Sequence, residues 1–578
     1  MKQAQTTALS FFGAESVGFA AVDGTEYSRT LFDLIVFFGG AYACTGTVTF
    51  HSDRVPTVQY TEEFLEQGTG VSSCIPVYVN VVPEIDQKFM DTRQPGELSA
   101  AASLTDETIS NNSIISQWIM AFSELYLAYR LARDPEEKTR IILLDRSLGT
   151  MLASLVYDTS RRKLWKTNGA LYGLDVDGHP IDMNDLGYAR HRIYNGSLGL
   201  PSPRGDYLRY AIVRVLEEKG PLNLKQVCEE IGIVQEDRAR RVRKYLDRWV
   251  SEGLLAESRS AFNIAENYRD AWKRIRKLVE QVANQLFRDA PETNPMMVKK
   301  ADGNQWLTTQ DFAFLSLFAL NLLVEECWSR RILLIGLTKD TTARDFKNHL
   351  LPVCLNNNVW KFNISQEDLT RIPNTDRMML QAVSLYNHEK IPVPWSLIEY
   401  DSSFLVIVPD LKKRKGYVSG AIRNRISPER LFLKSYIQLS QAEYDPQLRS
   451  NVLLIDRLAY PNFDLREDTK GQFLQEYDSA EELVEPILFR DSKLVNETQN
   501  LMMVALSGMT SPSIPEVFGH NRPLFVADKV AKWHWQETRR IIDSAGHWIM
   551  NNRDLRRFVF YMSTFRERRE QIESARRQ

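Results

Sequence analysis

Two short apolar runs, far apart in the chain, each stop at an aspartate. One is Phe19-Ala20-Ala21-Val22 before Asp23-Gly24-Thr25, the other Ile141-Ile142-Leu143-Leu144 before Asp145-Arg146-Ser147. A short apolar run bounded by such residues reads as a buried strand that delivers a carboxylate to the edge of a sheet. Between them, Ile114 to Leu131 has helical periodicity, with Glu124 about two turns before its end. An Asp-Gly pair is also an ordinary turn, and a lone Asp after a strand also caps loops and helices. After Asp23, the apolar stretch Leu31 to Phe38, the pair Gly39-Gly40 and the alternating Tyr42 to Phe50 predict a meander of strands.

Further along, alternating helices and strands predict an α/β core. A polar stretch from Glu84 to Asn112 reads as a loop, and Ser147 to Arg162 as a helix beginning beside Asp145. Residues 164–204 are rich in Gly, Pro and Asn and read as a linker. Helices are expected at Tyr207–Glu218, Leu224–Ile231 and Asp237–Gly253, with a hairpin-like tail from Leu254. This order resembles a winged helix whose third helix carries Arg238, Arg240, Arg241, Arg243, Lys244 and Arg248. Such a helix fits a DNA major groove; winged helices also serve protein contacts, and an arginine-rich face is often only solvated. Beyond it come helices at Asn267–Asp289 and Thr309–Arg330, then a strand at Arg331–Gly336. Further strands are expected at Phe404–Val408, Leu431–Leu439 and Val452–Ile455, and helices at Leu524–Ala545 and Leu555–Arg577. The expected domains are therefore a core in two parts, 1–165 and 265–578, a linker at 166–204 and an insert at 205–264.

Composition narrows the chemistry only a little. A chain of 578 residues exceeds one compact core. Its net charge of −2 gives no global attraction to nucleic acid, so any DNA contact must come from local basic surfaces. Those are Lys412-Lys413-Arg414-Lys415 with Arg423 and Arg425 beside Tyr417, and the tail Arg553, Arg556, Arg557, Arg566, Arg568 and Arg569. The five cysteines form no CxxC pair, which argues against a zinc ribbon or a disulfide framework. The start lacks a signal-peptide apolar region, and the apolar run Phe312–Val324 is too short to span a bilayer. A soluble, cytoplasmic protein is expected, with no membrane partner.

Three acids from strand, helix and strand can converge on a divalent cation, because Mg²⁺ and Mn²⁺ prefer carboxylate oxygens. That points to a metal-dependent nuclease. The ordered motifs resemble the NurA family of DNA-end-processing nucleases across nearly the whole chain apart from the insert. That family opens with a strand ending Val-Asp-Gly-Ser, matched by Val22-Asp23-Gly24-Thr25. A helix bearing Glu follows, then Leu-Asp-Gly-Ser-Leu, matched by Leu144-Asp145-Arg146-Ser147-Leu148. Its later Gly-x-x-Lys is matched by Gly336-Leu337-Thr338-Lys339. Its Gly-Tyr-Pro-x-x-Leu-x-x-Ala-Asp/His frame is matched by Gly519-His520-Asn521-Arg522-Pro523-Leu524-Phe525-Val526-Ala527-Asp528.

The resemblance implies an RNase H-like mixed sheet flanked by helices and Mn²⁺- or Mg²⁺-dependent cleavage of DNA. It also implies a homodimer and partnership with a HerA-like hexameric ATPase or translocase, in end processing or anti-phage defence. Carried over, Asp23, Glu124, Asp145 and Asp528 are the expected metal ligands of a two-metal mechanism, with Asp23 shared between the ions. Lys339 is expected to neutralise phosphate charge, or simply to cap its strand. His520, where the family has Tyr, is expected to orient substrate or shuttle a proton, or to cap beside Gly519. Arg146, where the family has Gly, projects a side chain near the metal toward phosphate. Arg241, Lys244, Lys413 and Arg414 are the other expected DNA contacts. The sequence contains no Gly-x-x-x-x-Gly-Lys-Ser/Thr loop, so ATP-driven movement would fall to a partner. The competing reading is a catalytically inactive winged-helix DNA-binding or scaffold subunit, its acids structural.

Overall fold

A computed structural model describes residues 1–61, 69–86, 89, 109, 113–136, 138–159, 169–190, 207–289, 291–356, 360–361, 364–401, 407–410, 415–418, 431–442, 444–464, 496–510 and 521–562. The chain opens with helix α1 (Lys2–Phe12), then strands β1 (Ser16–Leu31), β2 (Leu34–Thr49), β3 (Thr57–Tyr60) and β4 (Thr69–Tyr78). Helix α2 (Ile115–Arg133), β5 (Thr139–Leu144), α3 (Leu148–Asp158) and α4 (Met183–Arg190) follow. Then come α5 (Tyr207–Lys219), α6 (Leu224–Ile231), α7 (Glu236–Ser251), α8 (Ala271–Leu286), α9 (Thr309–Arg330), β6 (Leu333–Thr338) and α10 (Asp376–Tyr386). The last described elements used below are β7 (Phe432–Gln438), β8 (Leu453–Leu458), α11 (Glu497–Gly508) and α12 (Arg522–Asn551).

One ten-stranded mixed sheet organises the fold, in the order Trp395–Ser396, β7, β8, β6, β5, β1, β2, β3, with β4 also on β2 and Tyr400–Asp401 also on β7. Its centre is parallel: β1 and β6 both run with β5, and antiparallel strands flank them on either side. Parallel strands are covered on both faces, which is why β5 and β6 read as unbroken apolar runs. Helix α2 lies against β1 and β2 and is itself covered by α9. Its start is held by Asp86, whose Oδ2 accepts from Ile114 N at 3.0 Å and Ser113 Oγ at 3.2 Å. Most of the polar stretch around that residue lies outside the described residues. Helix α9 is the one described helix long and apolar enough to cross a membrane, and it is buried in the core instead.

The predicted meander is a single hairpin. β1 and β2 each run 16 residues and turn at Phe32-Asp33, where Phe32 has φ 59°. Gly39-Gly40 is not a turn but the middle of β2, paired with Glu26 and Thr25. Glycine is there because neighbours press close. A Cβ on Gly39 would lie 2.7 Å from Ile119 of α2, and one on Gly40 2.6 Å from Ser72 of β4. Asp23-Gly24 likewise lies within β1 rather than at its end.

The stretch 166–204 is not a free linker over its described part, 169–190. Ala170 and Leu171 are buried and donate their backbone N–H groups to the Asp311 carboxylate at 3.0 and 3.2 Å. Arg190 is buried with its guanidinium on Thr159 Oγ1 at 3.0 Å and Val156 O at 3.1 Å. Composition indicated turns, correctly at Gly173 and Gly178 with positive φ, but the intervening apolar residues return to the core.

Residues 207–264 fold as three helices and a small sheet ordered Leu222–Asn223, Ala261–Ile264, Leu255–Ser258. Their interior holds Val227, Val242, Leu246, Trp249 and Phe262. Helix α6 carries an Asn223–Gln226 capping box and ends on Gly232 in the left-handed region, φ 76°. Tyr210 packs on Trp328 of α9 at 4.7 Å between ring centroids, tying this unit to the main body.

Replacing Gly39 by Val should destabilise the protein by about 2 kcal/mol or more, because neither α2 nor β2 can move without opening the core. A urea titration that matches the unsubstituted protein would remove that account of the glycine.

Candidate metal centre

The parallel registers set where the functional residues end up. β1 pairs with β5 as far as Val22 opposite Leu144, and β5 pairs with β6 as far as Leu144 opposite Gly336. The next residue on β1 is Asp23 and on β5 Asp145, while β6 continues to Lys339 just past its end. All three therefore emerge at the same carboxyl edge, the usual location of a site in an open parallel sheet. Burial along β1 changes at this point, from buried through Val22 to partly exposed from Asp23 onward.

Helix α2 supplies Glu124, which is 5% exposed. Its carboxylate presses on the β1 backbone where Gly24 sits, so closely that any Cβ at Gly24 would overlap it. The alternative of an Asp23-Gly24 turn does not hold: both residues lie within β1, and the glycine makes room for Glu124. Helix α12 runs along the β1–β2 hairpin and brings Asp528 from the far end of the chain. On the same helix His534 stacks on Tyr42, ring centroids 4.0 Å apart at 6°, and Tyr42 is the cross-strand partner of Asp23. Nothing in the sequence marks Tyr42 or His534 as neighbours of the acids.

The electrostatics follow from crowding. Burial pushes the Asp23 carboxyl up to about 8, and the charges of Asp145, Glu124 and Asp528 add to the rise, opposed by the Gly24 N–H at 2.9 Å. Burial also raises Glu124 to about 7; the Arg146 guanidinium pulls it down and the Asp145 charge pushes it up. Basic side chains neutralise the rest. Arg146 pairs with Glu124, Lys339 Nζ lies 3.1 Å from Asp145 Oδ2, and Lys532 Nζ lies 2.8 Å from Asp528 Oδ2. Among the described residues Asp23 has no cationic partner.

The charges of Glu124, Asp145 and Asp528 thus all act on Asp23, and Arg146 and Lys339 pair with two of those acids. The carboxylates do not form a closed cage. Among the described residues no three acidic, His or Cys side chains share a point suited to a metal ion. The donor chemistry nonetheless fits a hard divalent cation: oxygen ligands only, mutually repelling, with one carboxylate lacking a counter-charge among the described residues. Arg146 points at Glu124 rather than outward. His520, Lys413 and Arg414 lie outside the described residues.

The third helix of the small unit is less basic in effect than in sequence. Arg240, Arg243 and Arg248 pair with Glu236, Asp247 and Glu252 one turn away. Arg241 is partly buried, and Lys244 is exposed.

One residue of the site was missed. Asp456 of β8 is fully buried and accepts from Ser147 Oγ at 2.8 Å and Gly149 N at 2.7 Å, in the turn that follows Asp145. The signal was present: Val452-Leu453-Leu454-Ile455-Asp456 repeats the pattern of an apolar run stopping at Asp.

Solved NurA structures align with the chain over most of its length. The NurA nuclease from Sulfolobus solfataricus covers 93% of this chain and 86% of its own at 11% identity, with a TM-score of 0.33. A NurA bound to dAMP and manganese covers 94% and 90% at 12% identity and a TM-score of 0.33. At those scores the superpositions carry no weight for the site, whose chemistry stands on its own residues. No protein-family model and no curated protein matches the chain.

The raised Asp23 carboxyl has a definite consequence for stability. Between its ordinary value of 3.8 and about 8 the folded protein holds a proton that the unfolded chain has lost. Metal-free protein therefore loses stability as pH rises through that window. The melting temperature should fall more steeply from pH 5 to 8 in the unsubstituted protein than in Asp23→Asn, whose amide does not titrate; parallel curves would contradict the assignment. Mn²⁺ affinity measured calorimetrically should rise over the same window, as the cation displaces protons from Asp23 and Glu124.

Proposed function

We propose that this chain is a divalent-cation-dependent DNA nuclease of the NurA type, with an RNase H-like core and an inserted winged-helix module at 205–264. The observation that supports it is the convergence of four carboxylates from β1, α2, the end of β5 and α12, with a lysine and an arginine among them. Phosphodiester hydrolysis needs that combination of cation ligands and cationic side chains at one place.

Asp23 would be the ligand common to two ions, with Glu124 and Asp145 on one and Asp528 on the other. Bound Mn²⁺ or Mg²⁺ supplies an activated water and neutralises the leaving oxygen. The chain's own groups do the rest. The Asp23 carboxyl gives up its proton when a cation replaces it. Lys339 and Arg146 neutralise Asp145 and Glu124 in the free protein and would be available to a scissile phosphate if those carboxylates held a cation. His520 would orient the substrate.

DNA approaches through basic groups, of which Lys244 on α7 is exposed and Lys413 and Arg414 are further candidates. A HerA-like hexameric ATPase would supply translocation, and the nuclease would act with it as a homodimer in end processing or defence against foreign DNA.

A second reading has one observation in its favour: Glu124, Asp145 and Asp528 already have basic partners, as structural acids do. The protein would then be an inactive DNA-binding or scaffold subunit. With Mn²⁺ and a labelled DNA substrate, Asp23→Ala and Asp145→Ala should each lower cleavage by at least about 100-fold. Full cleavage by both purified variants would refute the nuclease assignment. DNA binding without cleavage under any divalent ion, abolished by joint substitution of Arg241 and Lys244, would establish the second reading; in a nuclease that double substitution only weakens binding.

A further inference from the structure

We propose that Asp456 is the positioning residue that fixes the Asp145-Arg146-Ser147 turn at the edge of the sheet, an inference that rests on the nuclease reading. Asp145 is the last residue before the chain leaves β5 for α3, and nothing in β5 pairing extends beyond Leu144. The turn is held from across β6 instead. Asp456 Oδ2 takes both the hydroxyl of Ser147, the N-cap of α3, and the amide of Gly149 in its first turn, so one carboxylate oxygen sets the direction of helix and turn together.

Three features show that the surroundings are built for this contact. Asp456 lies opposite Gly336 on β6, where a Cβ would overlap the Arg146 carbonyl oxygen and sit 3.0 Å from Asp456 Oδ1, so glycine lets the turn cross the strand. A Cβ on Gly149 would lie 3.2 Å from Asp456 Oδ2, so glycine also admits the carboxylate to the helix start. Lys434, 2% exposed, lies opposite Asp456 on β7 and supplies the opposite charge; its Nζ is anchored at 2.9 Å on Asp345 Oδ2. A buried charge pair adds little net stability over apolar residues of the same size. The effect of Asp456 here is directional: its contacts with Ser147 and Gly149 hold the turn that begins at Asp145, where a displacement of about 1 Å is worth on the order of 100-fold in rate.

Full-length protein carrying Asp456→Asn, and separately the milder Ser147→Ala, would be assayed for Mn²⁺-dependent DNA cleavage and for amide hydrogen exchange across residues 145–150. Both variants should lower kcat by about 10- to 100-fold with KM for DNA within about twofold, and exchange at Gly149 should accelerate. Unchanged kcat in both would overturn the inference. So would equal loss in kcat and folded fraction with unaltered exchange in the turn, since that is a structural role alone. If Asp456→Asn does not fold, Ser147→Ala decides by the same criteria. Absence of cleavage by the unsubstituted protein would count against the nuclease reading instead. Exchange at Gly149 would then decide the clamp by itself, faster exchange supporting it and unchanged exchange overturning it.

Discussion

The parallel alignment of β1, β5 and β6 is the constraint on which the site depends. Because the parallel pairing stops at Val22, Leu144 and Gly336, Asp23 and Asp145 follow at once and Lys339 lies just past the end of β6, all at one edge. Residues more than a hundred positions apart become neighbours with no contact between their side chains needed to bring them there. The apolar runs that fill these strands end at the acids, so a slip along the strand would draw Asp145 into the covered part of the sheet or push Leu144 out of it. The placement of Asp23 and Asp145 is thus a by-product of burying Val22 and Leu144.

That placement puts like charges together in a region of low polarity, and the fold answers in two ways. It keeps protons on the most buried groups, Asp23 and Glu124, and it sets a basic residue beside Glu124, Asp145 and Asp528. The resting arrangement is internally neutralised, which explains why the carboxylates do not form a ready cage. In the proposed nuclease, metal binding would exchange protons and side-chain cations for an ion and so couple the site to pH.

Close approach is the second recurring device. Gly24, Gly39 and Gly336 are extended residues inside strands, with no turn and no unusual backbone angle to justify them. Each lies where another element presses in: the Glu124 carboxylate, Ile119 of α2 and the Arg146 carbonyl. In the small unit at 207–264 the opposite economy appears, where most arginines of α7 have acidic partners one turn away. Its outward charge is therefore much lower than a count of arginines implies.

The sequence alone determined the elements whose cause is local. Buried strands announced themselves as apolar runs, the 22-residue α9 as an apolar helix, and Gly232 as the end of α6. It also pointed to Asp23 and Asp145, because an apolar run that ends on Asp is a local pattern, repeated at Asp456; Asp528 entered only through the family resemblance. Only the tertiary structure decided what those residues meet. Whether Asp-Gly is a turn or a gap for Glu124, whether Gly39-Gly40 breaks a strand, and whether 169–190 links or packs depend on atoms distant in the chain. So does the pairing of Arg146 with Glu124. Sequence periodicity records which face of an element is apolar, while proximity across a sheet is set by strand order and register, and neither is written in any one segment.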